Sequence, residues 1–205
     1  KPVTVSEIPV PMPEKKEISF LEKLLNAGNS PFASLFQYPD SFNLQIIYTQ
    51  IDRDKDKKPR FTDHIYGIDR GHYFYPASTV KMPVAILALQ KLRELNIPGL
   101  DANSTMITEN GYSGQTPVYN DPSTADGKPT IAHYIKKIFL VSDNDAYNRL
   151  YEFLGPEYIN QELQKRGYTE VDIIHRLETS LTEDQDRHTN PIRFLDAKGN
   201  LIYEQ

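Results

Sequence analysis

The run Val80-Lys81-Met82-Pro83-Val84-Ala85-Ile86-Leu87-Ala88-Leu89 constrains this chain more than any other stretch. It is apolar at nearly every position, so a helix built from it has no polar side to turn toward water. The helix predicted from about Ser78 to Leu95 is therefore expected to be central and buried. Its apolar core, Met82 to Leu89, is far shorter than the ~20 residues that span a bilayer. Pro83 lies in the first turns, where a missing N–H costs little. Extended residues Tyr73 to Pro76 lead into the helix and place Ser78 at its mouth. Lys81 follows three residues on, sharing a face with Ser78 at ~5–6 Å between Cβ atoms.

That placement carries chemistry. A serine at a helix start lies beside free backbone N–H groups and the positive end of the helix dipole. Its own N–H is a natural oxyanion donor. A serine hydroxyl attacks well only when a base takes its proton, and a lysine serves only when neutral, which requires burial or a cationic neighbour. The plain alternative is a helix cap beside a lysine that reaches to solvent. A second cluster, Ser142-Asp143-Asn144, falls at a turn between two helices. Ser142 is placed to pass a proton to a leaving nitrogen, and Asn144 to hold Lys81 or a substrate amide. The plain alternative is capping, since Ser, Asp and Asn are the preferred N-cap residues.

Around these motifs the pattern predicts a mixed α+β chain. Residues 1–17, with Pro2, Pro9, Pro11 and Pro13, read as an extended linker ahead of one domain over 18–205. Ile18 to Ala27 has helical spacing and ends at Gly28. Phe42 to Ile51 and His64 to Asp69 read as two strands joined by a charged loop, Asp52 to Lys58. With the N-terminal helix they form a segment over 18–72, and a helical subdomain follows over about 73–170. Asn96 to Lys128 reads as a long irregular loop, a type that is often functional. Helices are expected at Ile131 to Leu140, Asp145 to Leu154, and from Pro156 to Gly167. Ile173 to Asn190 reads as a polar loop, and Leu195 to Glu204 as a hairpin around Lys198-Gly199-Asn200. Tyr112 or Tyr119 is a candidate aromatic wall for a cleft, with ordinary packing as the alternative.

Composition narrows the partners. A net charge of -5 argues against nucleic acid or an anionic membrane surface. There is no Cys, hence no disulfide and no thiolate chemistry, which fits an oxidising compartment. His64, His72, His133, His175 and His188 show no metal-ligand spacing, and neither metal nor cofactor is expected. The abrupt Pro-rich start fits an exported, periplasmic protein trimmed of its signal, or an arbitrary boundary.

Ser78-Thr79-Val80-Lys81 followed by Ser142-Asp143-Asn144 resembles the signature of class A β-lactamases and penicillin-binding proteins. The resemblance covers about Phe42 to Pro191. It implies an α/β sandwich with a separate helical subdomain, and hydrolysis of a small β-lactam through a Ser78 acyl-enzyme. A penicillin-binding peptidase acting on peptidoglycan peptides, an esterase, or an inactive binding domain on the same scaffold are the alternatives. Arg176-Leu177-Glu178-Thr179-Ser180-Leu181 resembles the opening of the family's omega loop, about 173–191. Its Glu178 is then the residue expected to position the water that releases the acyl group. An exposed loop carboxylate is the alternative. Which of Lys81 and Glu178 takes the serine proton stays open. Thr179 and Thr182 replace the usual Pro and Asn, and His188 stands where an Asp normally pairs with Arg176. Arg176 is therefore expected to lack that partner, and release to suffer more than attack. No Lys-Thr-Gly, Lys-Ser-Gly or His-Thr-Gly follows Pro191. The antiparallel sheet is expected to be incomplete, with two core strands in this chain and the rest beyond it.

Overall fold

The computed structural model describes residues 19–26, 33–69 and 71–205. The expected 1–17 linker lies outside them. The chain divides into two compact units, one ending at Phe74 and one spanning Tyr75–Gln205. Both helix and strand occur in each, as the α+β expectation requires.

In the first unit, helices α1 (Phe20–Asn26) and α2 (Ala33–Gln37) precede a two-stranded antiparallel hairpin of β1 (Ile46–Arg53) and β2 (Pro59–Tyr66). The register runs from Ile46↔Tyr66 to Arg53↔Pro59, so the strands start and end later in β1, and earlier in β2, than the sequence suggested. The charged loop is tightened by Asp54, whose carboxylate accepts the N–H groups of Asp56 and Lys58 at 2.9 and 2.8 Å. Phe20 lies against Tyr48 and His64 on one face of the hairpin. At Gly67 (φ 65°) a Cβ would sit 2.5 Å from the Leu44 carbonyl oxygen, so only glycine fits there.

In the second unit a 3₁₀ turn, Ala77–Val80, runs into α3 (Lys81–Leu95). Helices α4 (Ile131–Val141), α5 (Asn144–Leu154) and α6 (Pro156–Lys165) follow close to their expected bounds. Their limits are set by Thr130, which caps α4 through the His133 N–H, by Asp143, which caps α5 through Ala146, and by Pro156 in the first turn of α6. Val84, Leu87 and Ala88 of α3 join Tyr134 and Ile138 of α4, Tyr147, Leu150 and Tyr151 of α5, and Ile159 of α6 in one core.

Two expectations change here. Helix α3 is buried along Val84, Ala85, Leu87, Ala88 and Leu92, but Met82, Ile86 and Leu89 are about half exposed. Its partners in this unit all pack on one side, which leaves that stripe uncovered. The helix enclosed on every side is α5, where each residue from Ala146 to Leu154 is buried. Its polar residues Asn148, Arg149 and Glu152 are buried against polar partners.

The segment read as a loop over 96–128 contains a strand, β3 (Thr105–Thr108). It pairs antiparallel with β4 (Ile192–Leu195), which pairs with β5 (Leu201–Glu204), in the order β3-β4-β5. The described residues thus hold five strands in two sheets, one more than the two core strands and the C-terminal hairpin expected. Thr105, Met106 and Thr108 are buried and Ile107 is partly buried, so β3 has no alternation to read. The C-terminal hairpin forms as expected about Lys198-Gly199-Asn200, though its first strand begins at Ile192. Within 173–190 a short helix, α7 (Glu183–Arg187), forms, and Ile173, Arg176 and Asn190 are buried.

Candidate active site

Ser78 lies in the 3₁₀ turn, one residue after Ala77, whose φ is 46°. That left-handed step in a non-glycine residue turns the chain sharply and leaves Ser78 exposed. Lys81, at the start of α3, is 2% exposed, with its side chain aimed into the gap between α3 and the α4–α5 turn. Its Nζ donates to the Ser142 carbonyl and to Asn144 Oδ1, both at 2.5 Å. The same nitrogen lies 3.1 Å from Ser78 Oγ and 3.0 Å from Ser142 Oγ. Burial pulls the Lys81 amine below the ordinary lysine range, with the Asp143 and Glu178 carboxylates opposing.

Ser142 ends α4 in a left-handed conformation (φ 55°), and Asp143 begins α5 as its cap. The turn therefore sets its three side chains in different directions: Ser142 toward Lys81, Asp143 onto the α5 N-terminus, and Asn144 between Lys81 and Glu178. Asn144 Nδ2 donates to Glu178 Oε2 at 2.7 Å. Ser78, Lys81, Ser142, Asn144 and Glu178 are thus joined in one chain of contacts. Glu178 is itself left-handed (φ 54°) and exposed. Among the described residues six non-glycine positions have positive φ, and three of them are Ala77, Ser142 and Glu178. Strain concentrated in this way is a mark of functional sites.

The loop bearing Glu178 is held from behind. Asn148 accepts the Leu177 N–H at 2.8 Å and donates to the Leu177 carbonyl at 2.9 Å. Arg176, expected to lack its partner, is fully engaged: Nε meets Glu152 at 3.0 Å, Nη1 meets Asp186 at 3.2 Å, and Nη2 reaches the His188 carbonyl at 2.9 Å. Glu152, buried on α5, also takes Arg149 Nη1 at 2.9 Å. Asn148 and Glu152 were missed in the sequence; the one available signal was their spacing of four and eight residues after Asn144, which sets all three on one face of α5.

Thr182 caps α7 in a reciprocal box with Gln185, so its hydroxyl is engaged there. Tyr112 stacks on His188 with ring centroids 3.8 Å apart, and its hydroxyl donates to Asp184 at 2.7 Å. One face and the polar end of Tyr112 are thereby committed to the α7 segment. Gly114 permits that approach: a Cβ there would come within 2.9 Å of Gln185 and Leu181. Tyr119 is exposed. No group of three or more His, Asp or Glu able to hold a metal occurs among the described residues.

No curated protein matches the chain. A family model, that of the β-lactamase enzyme family, matches residues 41–199. The match extends over most of the chain and includes Ser78, Lys81, Ser142, Asn144 and Glu178, so the chain belongs to the β-lactamase enzyme family.

Proposed function

We propose that the chain is a serine hydrolase of the class A β-lactamase kind, which opens a β-lactam amide through a Ser78 acyl-enzyme. The observation that carries this is the position of Lys81 Nζ, within 3.1 Å of both Ser78 Oγ and Ser142 Oγ. A neutral amine has two N–H donors and one lone pair. The Ser142 carbonyl and Asn144 Oδ1 occupy the two donors, which leaves the lone pair for a hydroxyl proton. Ser78 Oγ then bonds to the lactam carbonyl carbon while its proton passes to Lys81. As the C–N bond breaks, Ser142 gives its proton to the lactam nitrogen and recovers one from Lys81. The Ser78 N–H, in the first helical turn, is a donor to the developing oxyanion. Water activated by Glu178 attacks the ester and frees Ser78.

A second reading, a penicillin-binding peptidase that acylates readily and releases slowly, is favoured by Thr182, whose hydroxyl is tied into the α7 cap. One experiment addresses both. Intact mass after exposure to penicillin is expected to show an adduct that Ser78→Ala abolishes, and a chromogenic cephalosporin is expected to turn over steadily. A long-lived adduct without turnover selects the second reading. No adduct at any pH rejects acyl transfer altogether.

A further inference from the structure

The Ser142–Asn144 turn is gripped by a residue that none of the motifs contains. Lys137, on α4, holds Asp143 at both ends. Its carbonyl lies 3.5 Å from the Asp143 N–H, and its Nζ lies 3.4 Å from Asp143 Oδ2. The same Nζ is 3.5 Å from Asp121 Oδ2. Asp121 is buried and fixed in turn: Ser123 donates to its Oδ1 from the backbone at 3.0 Å and from the hydroxyl at 2.5 Å. His133 Nε2 lies 3.7 Å from Asp121 Oδ2 and 2.8 Å from Ser123 Oγ. An ordered chain of charge thus runs from the 121–128 loop through Lys137 to Asp143. Asp143 follows directly on Ser142, whose carbonyl binds Lys81.

We propose, building on the acyl transfer above, that Lys137 is a positioning residue that anchors the Ser142–Asn144 turn and neutralises Asp143 beside the catalytic lysine. The groups facing Lys81 are Ser78, Ser142 and Asn144, which are neutral, and the carboxylates of Asp143 and Glu178. The charged groups facing Lys137 are Asp121 and Asp143, with His133 beyond Asp121. Both carboxylates at Lys81 favour its protonated form. Lys137, which also faces Asp121, offsets part of the field of Asp143 at Lys81. Without it that offset is lost, and the carboxylate field at Lys81 is stronger. Lys81 then keeps its proton to higher pH, and attack by Ser78 begins at higher pH.

The test is the rate of Ser78 adduct formation with a penicillin, followed by intact mass across pH, for the whole chain and for Lys137→Met, Lys137→Gln and Lys137→Arg. The Met and Gln variants are expected to move the rising limb upward by about half a pH unit, equivalent to about threefold slower labelling on that limb. Lys137→Arg, which keeps the charge, is expected to restore the wild-type midpoint. A role in folding alone lowers the rate equally at every pH and leaves the midpoint in place. An unmoved midpoint in a folded Met or Gln variant that labels normally overturns the proposal while acyl transfer stands. Absence of any wild-type adduct overturns both.

Discussion

The attacking and releasing halves proposed for this site are built on different principles. Ser78, Lys81 and Ser142 are positioned by helix termini, and the lysine at their centre is buried with four polar contacts. Glu178 is exposed, and its loop is fixed one and two residues earlier, through the Leu177 backbone and the buried Arg176. The first half is rigid at the reacting atoms; the second is rigid behind them. A carboxylate that must let water in and out fits the second arrangement, whereas a base that must lose its proton near neutral pH fits the first.

Three substitutions test that contrast. Lys81→Met is expected to give the largest effect, slowing Ser78 labelling ~10³-fold or more, because it removes the proton acceptor and leaves the serine unactivated. In the wild type, labelling is expected to rise with pH through a midpoint below the ordinary lysine value, since the neutral amine is the active form and burial favours it. A flat profile would break the assignment of Lys81 as base. Glu178→Gln is expected to slow adduct release ~10²-fold while labelling proceeds, measured by the decay of the adduct mass. If labelling falls in parallel, Glu178 serves both steps and the two halves are not separate. Asn148→Ala is expected to be the mildest, costing about 2 kcal/mol in urea unfolding through the lost Leu177 bonds. It should slow release several-fold more than labelling; equal effects would mean that the loop also supports attack.

The sequence made the first half legible and the second only partly so. Ser78 and Lys81 sit within one helical turn, where spacing alone fixes proximity, and Gly155, Pro156 and Thr130 marked helix limits by local chemistry that the structure repeats. The partners of Arg176 could not be read the same way. Glu152 lies 24 residues earlier on a helix whose burial depends on tertiary packing. Arg176, expected to lack a partner because His188 stands at the usual Asp position, is paired instead with Glu152 and Asp186. The long-loop reading of 96–128 missed β3 for a related reason, since its pairing strand is β4, far along the chain. Lys137 and Asp121 escaped notice because charged residues on a helix and in a loop carry no signature until packing brings them together.

Helix α5 has a consequence that reaches past any one of its residues. Asn144 meets Lys81 and Glu178, Asn148 meets Leu177, and Glu152 meets Arg176, each one turn further along the same stripe. The helix acts as a ruler whose marks coincide with successive residues of the neighbouring loop. Each mark can be altered by substitution without shifting the others. An inserted or deleted residue inside the helix is different, because it rotates everything beyond it by about 100° and carries the later marks off the loop together. Length along this helix is therefore held by every mark at once, whereas each side chain is held only by its own contacts.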